Sequence, residues 1–218
     1  MGISSLLTDP LVFLLWMAAI LVALTVHEFS HALAATWLGD PTAQKMGRLS
    51  LNPLAHVDWF GLVALVLVGL GWGKPVPFNP YMLRDQKWGP LYIGLAGPLS
   101  NLMLLTISGL LLHLTIPALG AENLLVIFLS LCFLINTALM LFNLIPMPPL
   151  DGSKILLAIL HGSKWQTVRH WIEHYGSWVL MALIFMDMLM GVGPISLLLG
   201  WPRHWITQIF GLSNLLGV

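Results

Sequence analysis

The sequence predicts an all-α polytopic membrane protein with about four to six membrane helices and a membrane-dipping β-hairpin or loop region after the first helix. Hydrophobic residues make up 58% of the 218 positions, and charged residues make up only 8%, whereas soluble domains carry about 25% charged residues. A water-soluble globule could not cover its surface with so few charges, which excludes a soluble enzyme. A disordered chain would be far more polar. The net charge is zero, so the chain has no electrostatic reason to bind nucleic acid.

Four apolar runs are long enough to cross a bilayer, whose hydrocarbon core is spanned by about 20 helical residues. They cover residues 11–37, 90–117, 124–145 and 175–199. A fifth run, 60–71, has about a dozen residues, which is too short to cross at about 1.5 Å per residue. The four long runs are therefore predicted to be spanning helices.

Basic residues predict which loops face the cytoplasm, because Lys and Arg are enriched on that side. The turn 118–123 has none, whereas the segment 38–89 has five, on both sides of the run 60–71, and the segment 146–174 has three. Both ends of the run 60–71 therefore lie inside, and the run is predicted to dip into the membrane and return. Irregular backbone at this depth is tolerated where it is buried or lines a watery cavity. Many Gly and Pro residues in 38–89 favour short strands or hairpins over helix.

The first run contains the pattern HEFSH at residues 27–31. His27 and His31 are one helical turn apart on one face, and Glu28 falls within the same arc. Two imidazoles at this spacing can hold one zinc ion beside a glutamate that acts on water. Ionisable groups within a membrane helix are costly and mark function. The alternative is a set of interhelical hydrogen bonds or a proton path in a transporter.

A catalytic zinc site has three protein ligands, so a third must come from elsewhere in the chain. Asp151 is the favoured candidate, because it follows three helix-breaking prolines just past the third long run, at about the depth of the two histidines. Gly152 would let the backbone approach closely there. The alternative is that Asp151 only caps the helix that follows.

A competing pattern lies at His170, Glu173 and His174, which form the inverted arrangement His-x-x-Glu-His. It stands in a polar stretch outside the membrane, where these side chains can be solvated beside Lys164 and Arg169. No third ligand follows it in the same layer. The pattern in the first run is therefore preferred as the metal site.

Three motifs together resemble the site-2 protease family of intramembrane zinc metalloproteases. They are HEFSH (27–31), GPLSN (97–101) and NLIPMPPLDG (143–152), and they occur in the family's order. The stretches LNPLAHVDWFG (51–61) and GWGKPVPFNP (71–80) resemble those of short bacterial and archaeal members. The resemblance covers roughly residues 15 to 160 and implies a membrane-dipping β-hairpin after the metal helix, in agreement with the dipping run.

The resemblance implies roles for particular residues. One zinc ion per chain would be held by His27, His31 and Asp151, with Glu28 as general base. Asn101 would help to build the core or the substrate site. Two further residues, Asn143 and His56, belong to the matching stretches and are candidates for substrate binding or core structure. His56 and its neighbour Asp58 have no assigned role, and a structural role in holding the dipping loop is favoured.

The predicted function is zinc-dependent intramembrane endopeptidase activity on transmembrane segments of other proteins. The expected partners are such a transmembrane substrate and the lipid bilayer, and no nucleic acid; the oligomeric state stays open. We expect one domain over residues 1–218, with its core at 11–160 and without a PDZ or CBS domain. The protein is expected in the cell membrane as a multi-pass protein. Its active site would lie near the cytoplasmic side, because His27 is roughly 24 Å along the first helix at 1.5 Å per residue.

Two rival functions stay open. A membrane zinc or proton transporter could use the same side chains, although transporters tend to show internal repeats, and none is evident here. A catalytically inactive relative could bind metal or substrate without cutting. The presence of Glu28 argues against the second rival, because metal binding alone needs no such base.

Overall fold

The computed structural model describes residues 9–216, and the regular elements in this part of the chain are helices. The helices are α1 (Pro10–Trp37), α2 (Thr42–Lys45), α3 (Trp59–Val68), α4 (Gly89–Leu119), α5 (Leu124–Asn143), α6 (Asp151–Ile159), α7 (Gln166–Met190), α8 (Pro194–Ile209) and α9 (Ser213–Leu216). Short 3₁₀ turns lie at Pro53–Ala55, Pro80–Met82 and Ser163–Trp165. The predicted all-α class is confirmed.

Helices α1, α4 and α5 are long and apolar enough to cross a membrane, with 28, 31 and 20 residues. They coincide with the first three predicted spans, so a membrane protein with transmembrane helices is confirmed. Asp9 caps the start of α1, accepting hydrogen bonds from the backbone N–H groups of Leu11 at 2.9 Å and Val12 at 3.2 Å. Across the described residues the count is three spans, or four if a bent pair of helices counts as one.

The helices α4 and α5 form an antiparallel pair, and α1 packs against both. Their shared core contains fully buried Leu105, Leu112 and Phe133. The chain returns to this core after α8, where Leu212 is buried and the Phe210 ring lies 5.2 Å from that of Phe133. The short helix α6 packs on α4. This arrangement places the beginning of α6 beside the C-terminal half of α1.

The predicted β-hairpin of the dipping region is not confirmed. Within residues 9–216 the one β-type pairing in this region is an isolated bridge between Val57 and Gly73, and the run between them forms helix α3. Asp58 accepts a hydrogen bond from the backbone N–H of Gly61 at 2.9 Å, and Gly69 ends the helix in the left-handed region at φ 82°. A helix satisfies its backbone groups within the segment, which an apolar environment demands.

The fourth predicted span, 175–199, is not one straight helix. Helix α7 ends before Gly191, which has φ 74°, and α8 turns away from the line of α7 by 83°. Asp187 holds this bend by accepting hydrogen bonds from the backbone N–H groups of Ile195 at 3.1 Å and Ser196 at 2.7 Å. A glycine with positive φ followed by a proline-initiated helix explains the break.

Candidate metal centre

Three buried side chains from two helices meet at one point. Asp151 Oδ2 lies 3.1 Å from His27 Nε2 and 3.0 Å from His31 Nε2, and the two Nε2 atoms are 3.1 Å apart. The side chains of His27, His31 and Asp151 form the one group of three metal-ligating residues found within residues 9–216. Ligand atoms of a tetrahedral zinc site are about 3.3 Å apart at zinc–ligand distances of about 2.0 Å. The spacing therefore fits a zinc ion.

The orientation of the His27 ring is fixed by a chain of hydrogen bonds. Asn101 Nδ2 donates to Asn136 Oδ1 at 2.8 Å, and Asn136 Nδ2 donates to the carbonyl of Cys132 at 2.8 Å. This chain turns Asn101 Oδ1 toward His27, whose Nδ1–H donates to it at 2.6 Å. The lone pair of His27 is therefore on Nε2, which faces Asp151.

The His31 ring is fixed in the same way by a backbone group. Its Nδ1–H donates to the carbonyl oxygen of Ile93 in α4 at 2.6 Å. Both imidazoles therefore present Nε2 lone pairs toward a carboxylate oxygen, and the three electron-rich atoms repel one another. A cation between them relieves this repulsion, and imidazole nitrogen with carboxylate oxygen is a zinc donor set. The residues present thus fit the zinc ion that the sequence predicts.

Gly97 lets α4 approach the two histidines closely. A Cβ atom at this position would lie 2.5 Å from His27 Cε1 and 2.7 Å from His27 Nε2, and it would also overlap His31. Gly97 was not assigned a role at the centre from the sequence. The available signal was its position one helical turn before Asn101 on the same face of α4.

The backbone after α5 brings Asp151 to the two histidines. The segment between α5 and α6 contains three prolines, which prevent the helix from continuing. A Cβ atom on Gly152 would overlap the carbonyl oxygens of Leu144 and Ile145, so the turn into α6 requires glycine. Asp151 is the first residue of α6, and its second oxygen, Oδ1, accepts a hydrogen bond from Lys154 Nζ at 2.7 Å.

Glu28 lies next to His27 in α1 and is buried. Among the described residues its carboxylate has no hydrogen-bond donor within bonding distance. The nearby Arg48 is also buried, and its Nη2–H group donates to the carbonyl of Lys74. Burial lowers the pKa of Arg48, and the Glu28 carboxylate opposes this shift. Glu28 therefore lies near a cation, and its oxygens have no hydrogen-bond partner among residues 9–216.

The segment 38–80, which follows α1 directly, is held together by polar contacts. Asp40 is fully buried and accepts hydrogen bonds from Thr42 and from the backbone N–H of Asn79. Burial raises the pKa of Asp40, but these hydrogen bonds outweigh it and lower the pKa below its ordinary value. The backbone N–H of Lys74 also donates to the carbonyl of His56 at 2.8 Å. These contacts tie the returning segment to the residues that directly follow α1.

The structure does not bring the other predicted site residues into the group of three. His56 is fully buried, and its Nε2–H donates to the carbonyl of Ser50 at 2.7 Å. Asn143 Nδ2 donates to the carbonyl of Leu139 in its own helix at 3.0 Å. Asp58 caps α3. Asn101, in contrast, contacts His27 directly.

The competing pattern stands on the outside of α7. His170, Glu173 and His174 are all exposed, and the two imidazole rings stack 5.4 Å apart. Glu173 pairs with Arg169 at 3.6 Å. None of the three belongs to a metal-ligating group within the described part of the chain.

Comparison with known proteins agrees with the geometry. The model of Peptidase family M50 matches residues 112–186, a range that includes Asp151 but not the HEFSH motif. "Putative zinc metalloprotease YwhC" of Bacillus subtilis is 35% identical over 189 residues, which is 84% of this chain and 82% of that protein. Rip2 of Mycolicibacterium smegmatis, under the same description, is 36% identical over 149 residues, which is 65% of this chain and 55% of Rip2.

No solved structure matches the chain. The relationship to YwhC extends over most of both proteins, and the family match falls on the segment that carries Asp151. The resemblance seen in the motifs is therefore confirmed. The chain belongs to the M50, or site-2 protease, family of zinc metalloproteases.

Proposed function

We propose that the protein is a zinc-dependent intramembrane endopeptidase that hydrolyses peptide bonds in transmembrane segments of other proteins. The observation that carries the proposal is the convergence of His27, His31 and Asp151 within 3.1 Å of one another. This group lies inside a bundle of apolar helices long enough to span a bilayer. Buried ionisable side chains are not needed to stabilise the bundle there, because apolar side chains cost less free energy to bury in a membrane.

His27, His31 and Asp151 would hold the zinc ion, while Asn101 and the Ile93 carbonyl keep both imidazoles in the ligating tautomer. Zinc at such a site polarises a peptide carbonyl and lowers the pKa of water toward about 7. Gly97 lets α4 pack directly against both histidines.

Glu28 is the proposed general base. Its carboxylate accepts a proton from the water whose oxygen bonds to the scissile carbonyl carbon. When the C–N bond breaks, Glu28 returns the proton to the leaving nitrogen, so the products are a carboxylate and an amine. The absence of hydrogen-bond donors on Glu28 among residues 9–216 supports this role, because the carboxylate oxygens are available to accept the proton.

A transmembrane substrate must unwind before it can be cut, since its amides are hydrogen-bonded within a helix. The segment 71–79, between α3 and the turn at Pro80–Met82, lies outside the helices, pairs with Val57 through the isolated bridge at Gly73, and lies beside α1 at that glycine. We propose that it receives the unwound substrate by strand addition. The basic residues of the adjoining loops support a cell-membrane protein with this entrance near the cytoplasmic side.

The test is cleavage of a transmembrane peptide by the purified protein in lipid, compared with Glu28→Gln. We expect the variant to keep one zinc per chain and to lose at least about 100-fold in rate, as is typical for a general base. Glu173→Gln is the matched control and should cut at the wild-type rate. A Glu28→Gln variant with near wild-type cleavage would contradict the base role. Zinc flux into sealed vesicles without any cleavage would favour the transporter.

A further inference from the structure

The two oxygens of the Asp151 carboxylate have different partners. Oδ2 faces the Nε2 atoms of His27 and His31 at 3.1 Å and 3.0 Å. Oδ1 points the other way and pairs with Lys154 Nζ at 2.7 Å. Because the Asp151 side chain is only 7% exposed, little solvent can compete with the Lys154 ammonium group for Oδ1. One oxygen is thus directed to the metal centre and the other is held by a cation.

Lys154 is itself held in place by its surroundings. Its aliphatic stem packs on α4 at Gly94, where a Cβ atom would lie 3.0 Å from Lys154 Cβ and 3.3 Å from Lys154 Cδ. Its ammonium group lies 5.9 Å from the ring centre of Phe78, in the segment 71–79 that is proposed to receive substrate. Its side chain is 28% exposed. Lys154 is therefore confined between α4, Phe78 and Asp151.

Helix stability does not explain a lysine at this position. Lys154 stands in the first turn of α6, close to the positive end of the helix dipole, where a cation is disfavoured. A surface pair three residues apart contributes only about 0.2–0.5 kcal/mol. The pairing with a buried carboxylate oxygen at the metal centre is the contact that compensates for this placement.

We propose that Lys154 is a positioning residue that makes Asp151 a one-oxygen ligand. A carboxylate with both oxygens free can bind a metal through both, and the second oxygen would then be a fifth donor that crowds the coordination position a catalytic zinc site needs for water and the substrate carbonyl. By holding Oδ1, the ammonium group keeps that position available. This inference rests on the proposed zinc site, and it extends the function of the chain to a residue outside the ligand set.

The test uses Co²⁺ in place of zinc, because the visible absorption of Co²⁺ weakens markedly as its coordination number rises from four to five. Lys154→Met keeps the stem and removes the ammonium group, and Lys154→Arg restores a donor. Lys164→Met, on the exposed turn after α6, is the matched control. We expect the wild type, Lys154→Arg and Lys164→Met to give the strong four-coordinate spectrum, and Lys154→Met to give the weaker one.

Cleavage should follow the spectra: kcat of Lys154→Met should fall about 10- to 100-fold with KM nearly unchanged, as for other partners of metal ligands. A four-coordinate spectrum for Lys154→Met would overturn the proposal, whatever its activity. If Lys154→Met does not fold by circular dichroism, the same spectra on Lys154→Gln decide. If the wild type binds Co²⁺ but cuts no substrate, the proposed protease function fails, and the spectra still decide the role of Lys154.

Discussion

Two histidine pairs at the same helical spacing behave differently in this molecule. His27 and His31 are buried in α1, with ring centres 4.6 Å apart and rings nearly perpendicular. His170 and His174 are exposed on α7, with rings stacked 5.4 Å apart. Each pair has a glutamate within its motif. By residue type and spacing alone, either could be a zinc site.

The difference lies in what other elements bring to each pair. For the buried pair, α4 supplies an acceptor for each Nδ1–H group and α6 supplies a carboxylate oxygen. For the exposed pair, the nearest carboxylate, Glu173, is engaged with Arg169 on the same helix. A metal centre thus requires ligands from a second element and partners that fix the imidazole tautomers, in addition to helical spacing.

Removal of the Asp151 carboxylate, which faces both histidines of the buried pair, should have the largest effect on zinc binding. Asp151→Ala should lose both bound zinc and cleavage, because one of only three protein ligands is removed. His170→Ala combined with His174→Ala should leave both nearly unchanged. Zinc content after dialysis measures the difference. A full equivalent of zinc in Asp151→Ala together with its loss from the double variant would move the site to α7.

A methyl group added at Gly97, beside His27 and His31, should have the next largest effect on zinc binding. Gly97→Ala places a Cβ atom within 2.7 Å of His27 Nε2, so the ring must move. We expect zinc affinity to fall about 10- to 100-fold. Gly200→Ala in α8 is the matched control, since a Cβ atom there meets nothing within 4 Å. Competition with a chelator measures the zinc affinity of both variants, and equal affinities would show that zinc binding does not require glycine at position 97.

Removal of the Nδ1 partner of His27 tests the role of the tautomer. Asn101→Leu leaves that N–H group without its acceptor, and zinc affinity should fall about tenfold. Asn143→Leu removes an amide that bonds only within its own helix, so its zinc affinity should match that of the wild type. The same chelator competition compares them. A larger loss in Asn143→Leu would contradict the hydrogen-bond chain through Asn136.

The sequence predicted the parts of the site that depend on spacing and on helix breaks. The i, i+4 spacing put His27 and His31 on one face, and the prolines before Asp151 marked where a third ligand could enter. It did not predict helix α3, because a short apolar run is compatible with strand or helix. Gly97 was missed because a glycine has no side chain whose chemistry would mark it as part of a site. The bend after α7 depends on Asp187 bonding across the break.

The smallest expected effect concerns two carboxylates in different settings. Asp40→Asn should reduce stability by roughly 1–3 kcal/mol at neutral pH, because charge-assisted hydrogen bonds to Thr42 and Asn79 are weakened. The pKa of Asp40 lies below its ordinary value of 3.8, so this contribution is complete above that pH and is lost as the pH falls below it. Glu173→Gln should have little effect at any pH. Thermal unfolding in detergent as a function of pH measures the stability of both variants. The same pH dependence in both would contradict the predicted difference between Asp40 and Glu173.

The most direct test of intramembrane proteolysis is to map where a substrate is cut. The purified protein and a single-span substrate are reconstituted together in liposomes, and the fragments are identified by mass spectrometry. The account predicts fragment ends within the apolar stretch, loss of cleavage on chelation, and its return with added zinc. Fragment ends only outside the apolar stretch, or cleavage that is unaffected by the chelator, would contradict it.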